Sequence, residues 1–375
     1  MKIETLQMKS NPTSLYVHIP FCRNICTYCD FKKFIYNQNR INDYFQSLFF
    51  DLSRYENRTY KTIYIGGGTP SCIDKTNLST LLDKLKNKLH KNYKEFTIEC
   101  NVEDINDEFL SLIKEKGINR LSIGVQTFND KFISFCNRKH TKEMAINNII
   151  KASKYINNIS IDLIYAFPNQ TLKDLKEDID IATSLPIKHI SYYSLLIEEN
   201  TVLYAKNIKD VDDRLQAKMY KLIYNNLKEK GFNRYEFSNF AKNKKYQSYH
   251  NKVYWENKHY DAIGLAGSGY VDNIRYTNNI NIIKYNQKDY TLSEKTILSK
   301  EDIMFDQIML NLRMDEGLNI VKFNKKYKTD FIITYKKQLE ELKKLKLITI
   351  KNNVLKTTFK GSLLLNDVLQ YFLDE

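Results

Sequence analysis

The chain predicts an α/β fold: a partial (β/α)6 barrel of the TIM type followed by a small winged-helix-like α+β domain. Three observations carry that expectation. Six short β-rich runs alternate with six helix-period segments through the first two-thirds of the 375 residues, and such alternation builds a parallel sheet with helices outside it. Polar and glycine-rich signals fall where those runs end, which is where barrels of this kind place their chemistry. From about residue 299 the alternation stops, and helices followed by two short strands take over.

Taken in order, the strand runs are "SLYVHIP" (14–20), "TIYIGGG" (62–68), "EFTIEC" (95–100), "NRLSIGVQ" (119–126), "NISIDLIY" (158–165) and "HISYYSLL" (189–196). Helical patterns lie between them at roughly 40–55, 75–90, 105–116, 142–156, 171–184 and 211–230. Residues 235–285 change character. They are rich in Tyr, Asn and Gly, carry "HNKVYW" (250–255) and "GLAGSGY" (264–270), and read as a structured connection. Beyond it come a helix in "SKEDIMFDQIMLNLRM", a second near 318–326 and a third near 331–346. The strands "LITIK" and "VLKTT" follow, joined by an Asn-Asn turn, and a final helix spans 361–373. The expected division is 1–235 for the barrel, 236–290 for the connection and 291–375 for the C-terminal domain.

Composition narrows the class. Hydrophobic residues are 42% and charged residues 27%, as in soluble globular chains. No apolar run reaches the length of a membrane span. The opening "MKIETLQMKSNPTS" has neither an apolar h-region nor an Arg-rich amphipathic pattern, so no leader is expected and the cytoplasm is the default. The formal charge of +14 accompanies a general abundance of Lys, Asn, Ile and Tyr. It reads as compositional bias, with runs such as "KNKK" (242–245) as solvated loops, and no nucleic-acid partner is expected. Cys72, Cys100 and Cys136 are scattered and read as small core or near-site residues.

Cys22, Cys26 and Cys29 stand apart. Their spacing, C-x3-C-x2-C in "FCRNICTYCD" (21–30), lacks the fourth ligand of a structural zinc site and the C-x-x-C-H of haem attachment. A disulfide is disfavoured in a reducing compartment. A [4Fe–4S] cluster ordinarily takes four thiolates. Three would leave one iron open, and an open position on a metal is where a ligand binds. Other polar residues gather at the strand ends: Gly66, Gly67, Gly68 and Thr69 after the second, Glu99 in the third, Gln126 ending the fourth and Asp162 in the fifth. One such residue could be a core ion pair; three at successive strand ends suit a shared polar ligand. Arg138 in "FCNRKH" is either a surface arginine or part of that group.

With the three cysteines placed directly after a first strand and before "GGGTP", the sequence resembles the radical S-adenosylmethionine (SAM) superfamily. That resemblance implies that the amino and carboxylate groups of SAM chelate the open iron. It also implies that one electron from the reduced cluster cleaves the sulfonium to methionine and a 5′-deoxyadenosyl radical. Seven further stretches narrow it: "SLYVHIPFCRNICTYCDF", "IYIGGGTPS", "INRLSIGVQTFND", "IDLIYAFPNQTLKDL", "YEFSNFA", "HNKVYWENKHYDAIGLAGSG" and "LNLRMDEGL". Together they are similar to the HemN/HemW family, which includes oxygen-independent coproporphyrinogen III dehydrogenase and a haem chaperone. Carried over residue by residue, Tyr16, Gly67 and Glu99 resemble contacts for SAM at the cluster. Tyr28, Gly68, Thr69, Gln126, Arg138 and Asp162 match positions that contact a second SAM in the dehydrogenase.

The resemblance favours the chaperone branch. The dehydrogenase carries a further cysteine two places after the third ligand, where this chain has Phe31, and a longer N-terminal extension than the dozen or so residues found here. Ala166-Phe167, where the family more often has Gly-Leu, is a mild departure. On the chaperone reading the partners are haem, haem-accepting proteins and an electron donor such as flavodoxin or ferredoxin, and a homodimer stays open. His250 of "HNKVYW" is the haem-ligand candidate, with Tyr254 and Trp255 as aromatic surface. The plainer alternative is that His250 only hydrogen-bonds its loop. Radical decarboxylation of coproporphyrinogen remains the alternative activity.

Overall fold

The structure, a computed structural model, describes residues 11–373; residues 1–10, on which the no-leader expectation mostly rests, lie outside the described residues. The six expected strands form at Ser14–Ile19 (β1), Thr62–Gly67 (β2), Glu95–Asn101 (β3), Arg120–Gln126 (β4), Ile159–Tyr165 (β5) and His189–Ser194 (β6). They pair in parallel in chain order, as helical crossovers require. The helices between and after them are Gln38–Ser53 (α1), Lys75–Lys86 (α2), Asp107–Glu115 (α3), Lys142–Ser153 (α4), Leu172–Ser184 (α5) and Asp213–Glu229 (α6). Each begins at a side-chain cap: Asn37, Asp74, Asn106, Thr141, Thr171 and Asp212. These caps satisfy orphan amides at each N-terminus, and at Thr171 a reciprocal bond from Asp174 completes a capping box.

Three more strands extend the sheet beyond what the sequence pattern announced. Asn233–Glu236 (β7), Asn239–Ala241 (β8) and Asp261–Ile263 (β9) give the order β9-β1-β2-β3-β4-β5-β6-β8-β7. β9 runs parallel to β1, while β8 is antiparallel to β6 and to β7. The ends of this order do not pair, so the barrel is open on one side. A short helix, Asp130–Phe135, also falls outside the expected set.

The two faces of the wall have opposite chemistry. Leu15, Val17, Ile19, Ile63 and Ile65 point outward and are buried in one continuous core with the helices. The alternate residues point inward, and they are polar. Thr62 donates to Ser14 (2.8 Å), Tyr64 to Glu99 (2.7 Å), and Ser122 to Asp162 (3.1 Å). A strand alternates faces at every residue, so one sequence serves both environments.

The connection 236–290 is built into this barrel. Helix α7, Tyr249–Trp255, lies across the N-terminal ends of the strands. Glu95 of β3 accepts from Ser248 Oγ (3.0 Å) and the Tyr249 amide (2.8 Å), and Arg120 of β4 donates to the Tyr246 carbonyl (3.0 Å). β9 is tied down by Asp261, fully buried, which accepts from Arg58 at 2.5 and 2.6 Å and from Tyr60 at 2.8 Å. A three-stranded antiparallel sheet follows: Ser268–Val271 and Ile274–Thr277 lie within the connection, and the third strand, Glu294–Ile297, lies just past its expected end at 290.

The C-terminal region has its own core, with Ile308, Phe323, Phe331, Leu342 and Val368 at its centre. Helix Lys300–Leu312 (α8) matches the expectation. The second expected helix begins later, at Ile320–Tyr327, because Leu318–Asn319 pairs with the hairpin as a third strand. The third breaks at Tyr335 into Phe331–Thr334 and Lys336–Lys344. The final one is two short turns of helix, Phe359–Leu363 and Leu365–Gln370. Between the strands Ile348–Lys351 and Val354–Thr357, Asn352 and Asn353 both adopt positive φ (49° and 58°), the left-handed pair that a two-residue hairpin turn needs.

Asp261→Ala leaves Arg58 without its counter-ion and frees β9. Urea unfolding should show a loss of about 3 kcal/mol, the low end for breaking a buried pair because Arg58 keeps some solvent contact. A loss under about 1 kcal/mol would show that the pair does not hold the strand.

Candidate functional site

At the C-terminal mouth of the strands a cavity of about 470 Å³ opens. The loop leaving β1 forms one wall and brings Cys22, Cys26 and Cys29 to it. Four anchors fix that loop. Arg23 bonds buried Asp104 (2.5 Å), which also accepts from Ser71 (2.7 Å). The Thr27 amide and hydroxyl bond the carbonyls of Cys136 (3.2 Å) and Phe135 (2.9 Å). Asn24 pairs with Asn137, whose Nδ2 also reaches the Ile25 carbonyl (2.9 Å). Lys33 donates to the Cys29 carbonyl.

The glycine triplet after β2 closes against the cysteine loop. Gly67 has φ +114°, which a side chain would strain. At Gly68 a Cβ would stand 2.7 Å from the Phe21 carbonyl. Without it, the Gly68 amide reaches the Ile19 carbonyl (2.8 Å), and the Thr69 amide reaches that of Phe21 (2.7 Å). The Thr69 hydroxyl then donates to Cys22 Sγ at 3.3 Å. The turn therefore stitches the second strand end to the cysteine loop.

The cavity also receives Tyr28, Gly67, Gly68, Thr69, Glu99, Gln126, Arg138 and Asp162. Tyr28 packs partly on an apolar cluster with Phe132 and Phe167. Gln126 takes a positive φ of 71° at an irregularity in the β4–β5 pairing. Glu99 accepts from Tyr64 and from the Gly67 amide (3.1 Å). Arg138 stands 3.6 Å from Cys26 Sγ and donates to the Gly124 carbonyl (2.6 Å). Tyr16 is set back: its hydroxyl meets His18 Nδ1 (3.0 Å), its ring stacks near Tyr64, and it does not line the cavity. Lys33, Arg120, His189, Ser191 and Tyr193 do line it, although the sequence reading did not name them as site residues. For Arg120, His189, Ser191 and Tyr193 the signal was present as polar residues at period two in β4 and β6, whereas Lys33 lies in the cysteine loop and carried none.

His250 does not join this group. It is 1% exposed and sits at the opposite end of the barrel. Both ring nitrogens are engaged, Nδ1 with Thr62 (3.0 Å) and Nε2 with Tyr254 (2.7 Å), and burial depresses its pKa to about 3. Tyr254 is taken up by that bond, while the Trp255 ring packs on Arg313 of the C-terminal domain. In the described fold both His250 nitrogens are bonded within the chain, so ligation of haem by this ring would require one of those bonds to break.

The donor chemistry of the cavity can be tested against an iron–sulfur cluster and SAM. Among the described residues no three His, Cys, Asp or Glu side chains converge on the point a single ion would occupy. A cluster instead offers each thiolate a separate iron. Burial pushes the Cys22 thiol up to about 11 and raises Cys29, so iron would displace protons from these thiols on binding. Burial also raises Glu99 to about 7, helped by nearby Asp162, itself raised by burial. Soft thiols and carboxylates in the lining of one cavity fit a ligand that joins a metal cluster to a positively charged, hydroxyl-bearing molecule.

A parallel half-barrel whose first strand runs into a three-thiol loop is the architecture of radical SAM proteins. The Radical SAM superfamily profile matches residues 16–182, and the HemN C-terminal domain profile matches 298–364. Heme chaperone HemW of Lactococcus lactis is 36% identical over 374 residues, covering 98% of each chain. Heme chaperone HemW of Bacillus subtilis is 33% identical and covers 96% of this chain and 99% of its own. Among solved structures, coproporphyrinogen III oxidase (HemN) of Escherichia coli, described as a radical SAM enzyme, superposes with a TM-score of 0.83 at 20% identity, over 96% of this chain and 90% of that one. The chain belongs to the HemN/HemW family of the radical SAM superfamily, on the HemW side.

Because Glu99 holds its proton at about 7 when folded, against 4.5 for a solvated glutamate, the folded chain binds that proton more tightly than the unfolded one. Its contribution to stability is complete below about pH 4.5 and is lost as pH rises through about 7. Urea unfolding of the ligand-free protein across this window should show wild type losing on the order of 3 kcal/mol relative to Glu99→Gln. Parallel stability curves would refute the assignment.

Proposed function

We propose that the chain is a haem chaperone of the HemW type, which binds haem and delivers it to acceptor proteins. On this reading a [4Fe–4S] cluster is held by Cys22, Cys26 and Cys29, with SAM at its open iron. The observation that carries it is the three thiols of the β1 loop gathered at a cavity that also receives Glu99, Gln126, Arg138 and Asp162; the remaining cysteine in its lining, Cys100, comes from β3 and not from that loop. The end-to-end likeness to proteins named heme chaperone HemW adds the haem.

Gly67 and Glu99 would serve the SAM at the cluster, while Tyr16, set back from the cavity beside Tyr64, would act only from behind them. Tyr28, Gly68, Thr69, Gln126, Arg138 and Asp162 would complete its surroundings or receive a second one. When bound, the cluster and SAM supply one-electron reductive chemistry. The chain's part is to orient the ligand with Glu99 and Arg138 and to limit water at the mouth. An electron donor such as flavodoxin or ferredoxin would approach the cysteine loop. The reducing cytoplasm, which keeps thiols free, is the compartment this reading calls for. No described helix is long and apolar enough to cross a membrane.

The second reading, coproporphyrinogen III dehydrogenase, rests on the HemN fold likeness. Against it stands Phe31, 63% exposed at the mouth, in the place where that branch carries its extra cysteine.

Anaerobic iron–sulfur reconstitution followed by electron paramagnetic resonance should give a cluster whose signal changes on adding SAM, and Cys26→Ala should lose it. A cluster indifferent to SAM would sink the reading. Titration of the protein with haem should give a saturable Soret band. Because the His250 ring is locked in the barrel floor, His250→Ala should retain that band while lowering the melting temperature. Loss of the band would mean that α7 leaves the floor to ligate haem, and protoporphyrinogen formed from coproporphyrinogen would favour the second reading.

A further inference from the structure

Beside the cavity, behind Arg138, the interior leaves four polar atoms in one place without a hydrogen-bond partner: Glu103 Oε2, Arg138 Nε and both ring nitrogens of His140. The His140 side chain is fully enclosed, and that of Arg138 is 5% exposed. Buried polar groups are costly unless paired, and a concentration of them marks a role other than packing. Neither Glu103 nor His140 lines the cavity, so neither is a direct ligand contact.

Their geometry is directional. Glu103 Oε2 lies 3.8 Å from Arg138 Nη2 on one side and 3.6 Å from His140 Nδ1 on the other, both just beyond hydrogen-bond reach. Its other oxygen accepts from Asn101 (3.3 Å). On its far side the guanidinium turns Nη1 toward Cys26 Sγ at 3.6 Å, and the same Nη2 that faces Glu103 donates to the Gly124 carbonyl at 2.6 Å. A continuous line therefore runs from His140 through Glu103 and Arg138 to a cysteine of the loop. Two independent segments supply it: the turn Val102–Asp104 after β3, and the loop that follows helix Asp130–Phe135. Glu103 is the only carboxylate within 4 Å of Arg138 among the described residues.

We propose that Glu103 and His140 are positioning residues for Arg138. Glu103, part-buried with its Oε2 enclosed, is the counter-ion of the guanidinium. His140 stands behind Glu103 and, with its proton on Nδ1, fixes the direction of that carboxylate. Together they aim Arg138 at Cys26 and the cavity, and the two gaps close to hydrogen bonds when the site fills. This inference rests on the SAM-and-cluster reading above. It adds that ligand recognition by Arg138 is set from behind, by two groups that never touch the ligand.

The test uses the anaerobically reconstituted full chain, with SAM affinity by equilibrium dialysis and electron paramagnetic resonance of the reduced cluster with and without SAM. Glu103→Gln, which keeps shape and removes charge, should weaken SAM binding about tenfold and diminish the SAM-induced spectral change at unchanged iron content. His140→Leu should do the same, while His140→Gln, which keeps a donor toward Glu103, should stay near wild type. Should His140→Leu fail to fold, Glu103→Gln and His140→Gln still separate the outcomes. Wild type responding to SAM while Glu103→Gln matches it in affinity and spectrum, with only the melting temperature lowered, would overturn the inference and leave the proposed function standing. A wild-type cluster blind to SAM would overturn both.

Discussion

The structure depends on a barrel wall that is polar on its inner face. Most folds bury apolar residues at the centre. Here the apolar residues of β1–β6 point out to the helices, and hydroxyls, carboxylates and an arginine point in. Such an interior is tolerable only where each group finds a partner or meets a ligand. The inner groups bond across strands, as Thr62 does to Ser14, Tyr64 to Glu99, and Ser122 to Asp162. Each of these bonds fixes strand register as well as satisfying polarity. The groups that remain toward the mouth are those that line the cavity.

The two ends of the barrel solve the same problem differently. At the floor the chain supplies its own partner: Glu95 takes the first amide of α7 and its capping serine, and His250 takes Thr62. At the mouth the chain supplies a loop of thiols and a glycine turn, and leaves Glu99 and Asp162 with pKa values raised by burial. Burial makes negative charge unfavourable at these two carboxyls, as it does at bonded structural ones such as Asp178 and Asp261; what sets Glu99 and Asp162 apart is that they line the cavity. The floor is closed within the chain, and the mouth keeps two such carboxyls open to a ligand.

Much of this was legible in the sequence because it rests on local signals. Short β-rich runs gave the six parallel strands, helical periodicity gave the helices between them, and the cysteine spacing gave the loop. The three added strands were not legible. β7, β8 and β9 have three or four residues each, too short for periodicity to declare, and they are strands only because the edges of the wall stand ready to pair with them. The single helix expected over 331–346 breaks at Tyr335, whose ring packs against Phe331 and Phe372, a tertiary contact that no window of sequence reports. At the site, the chemistry-bearing residues at strand ends were visible. Arg120 and His189 were not named, because buried polar residues deep in a strand look like ordinary core exceptions until the whole inner face is seen to be polar.

The segment "HNKVYW" shows how a motif can be located correctly while its physical task needs the fold. Its helix seals the barrel floor, and its far end meets the C-terminal domain. The Trp255 carbonyl accepts from Asn311 (2.8 Å), the indole lies over Arg313 at 4.8 Å, and Gln307 reaches the Glu256 carbonyl. Close by, the Phe237 amide donates to the Arg313 carbonyl (3.1 Å), the Asp315 amide donates to the Tyr235 carbonyl (3.0 Å), and Arg234 pairs with Asp315. The same helix that is bonded to Thr62 through His250 is therefore bonded to α8 one turn later. Any ligand that displaced His250 from Thr62 would have to disturb both the barrel floor and the domain junction. Those six residues act in this fold as the joint between the two cores.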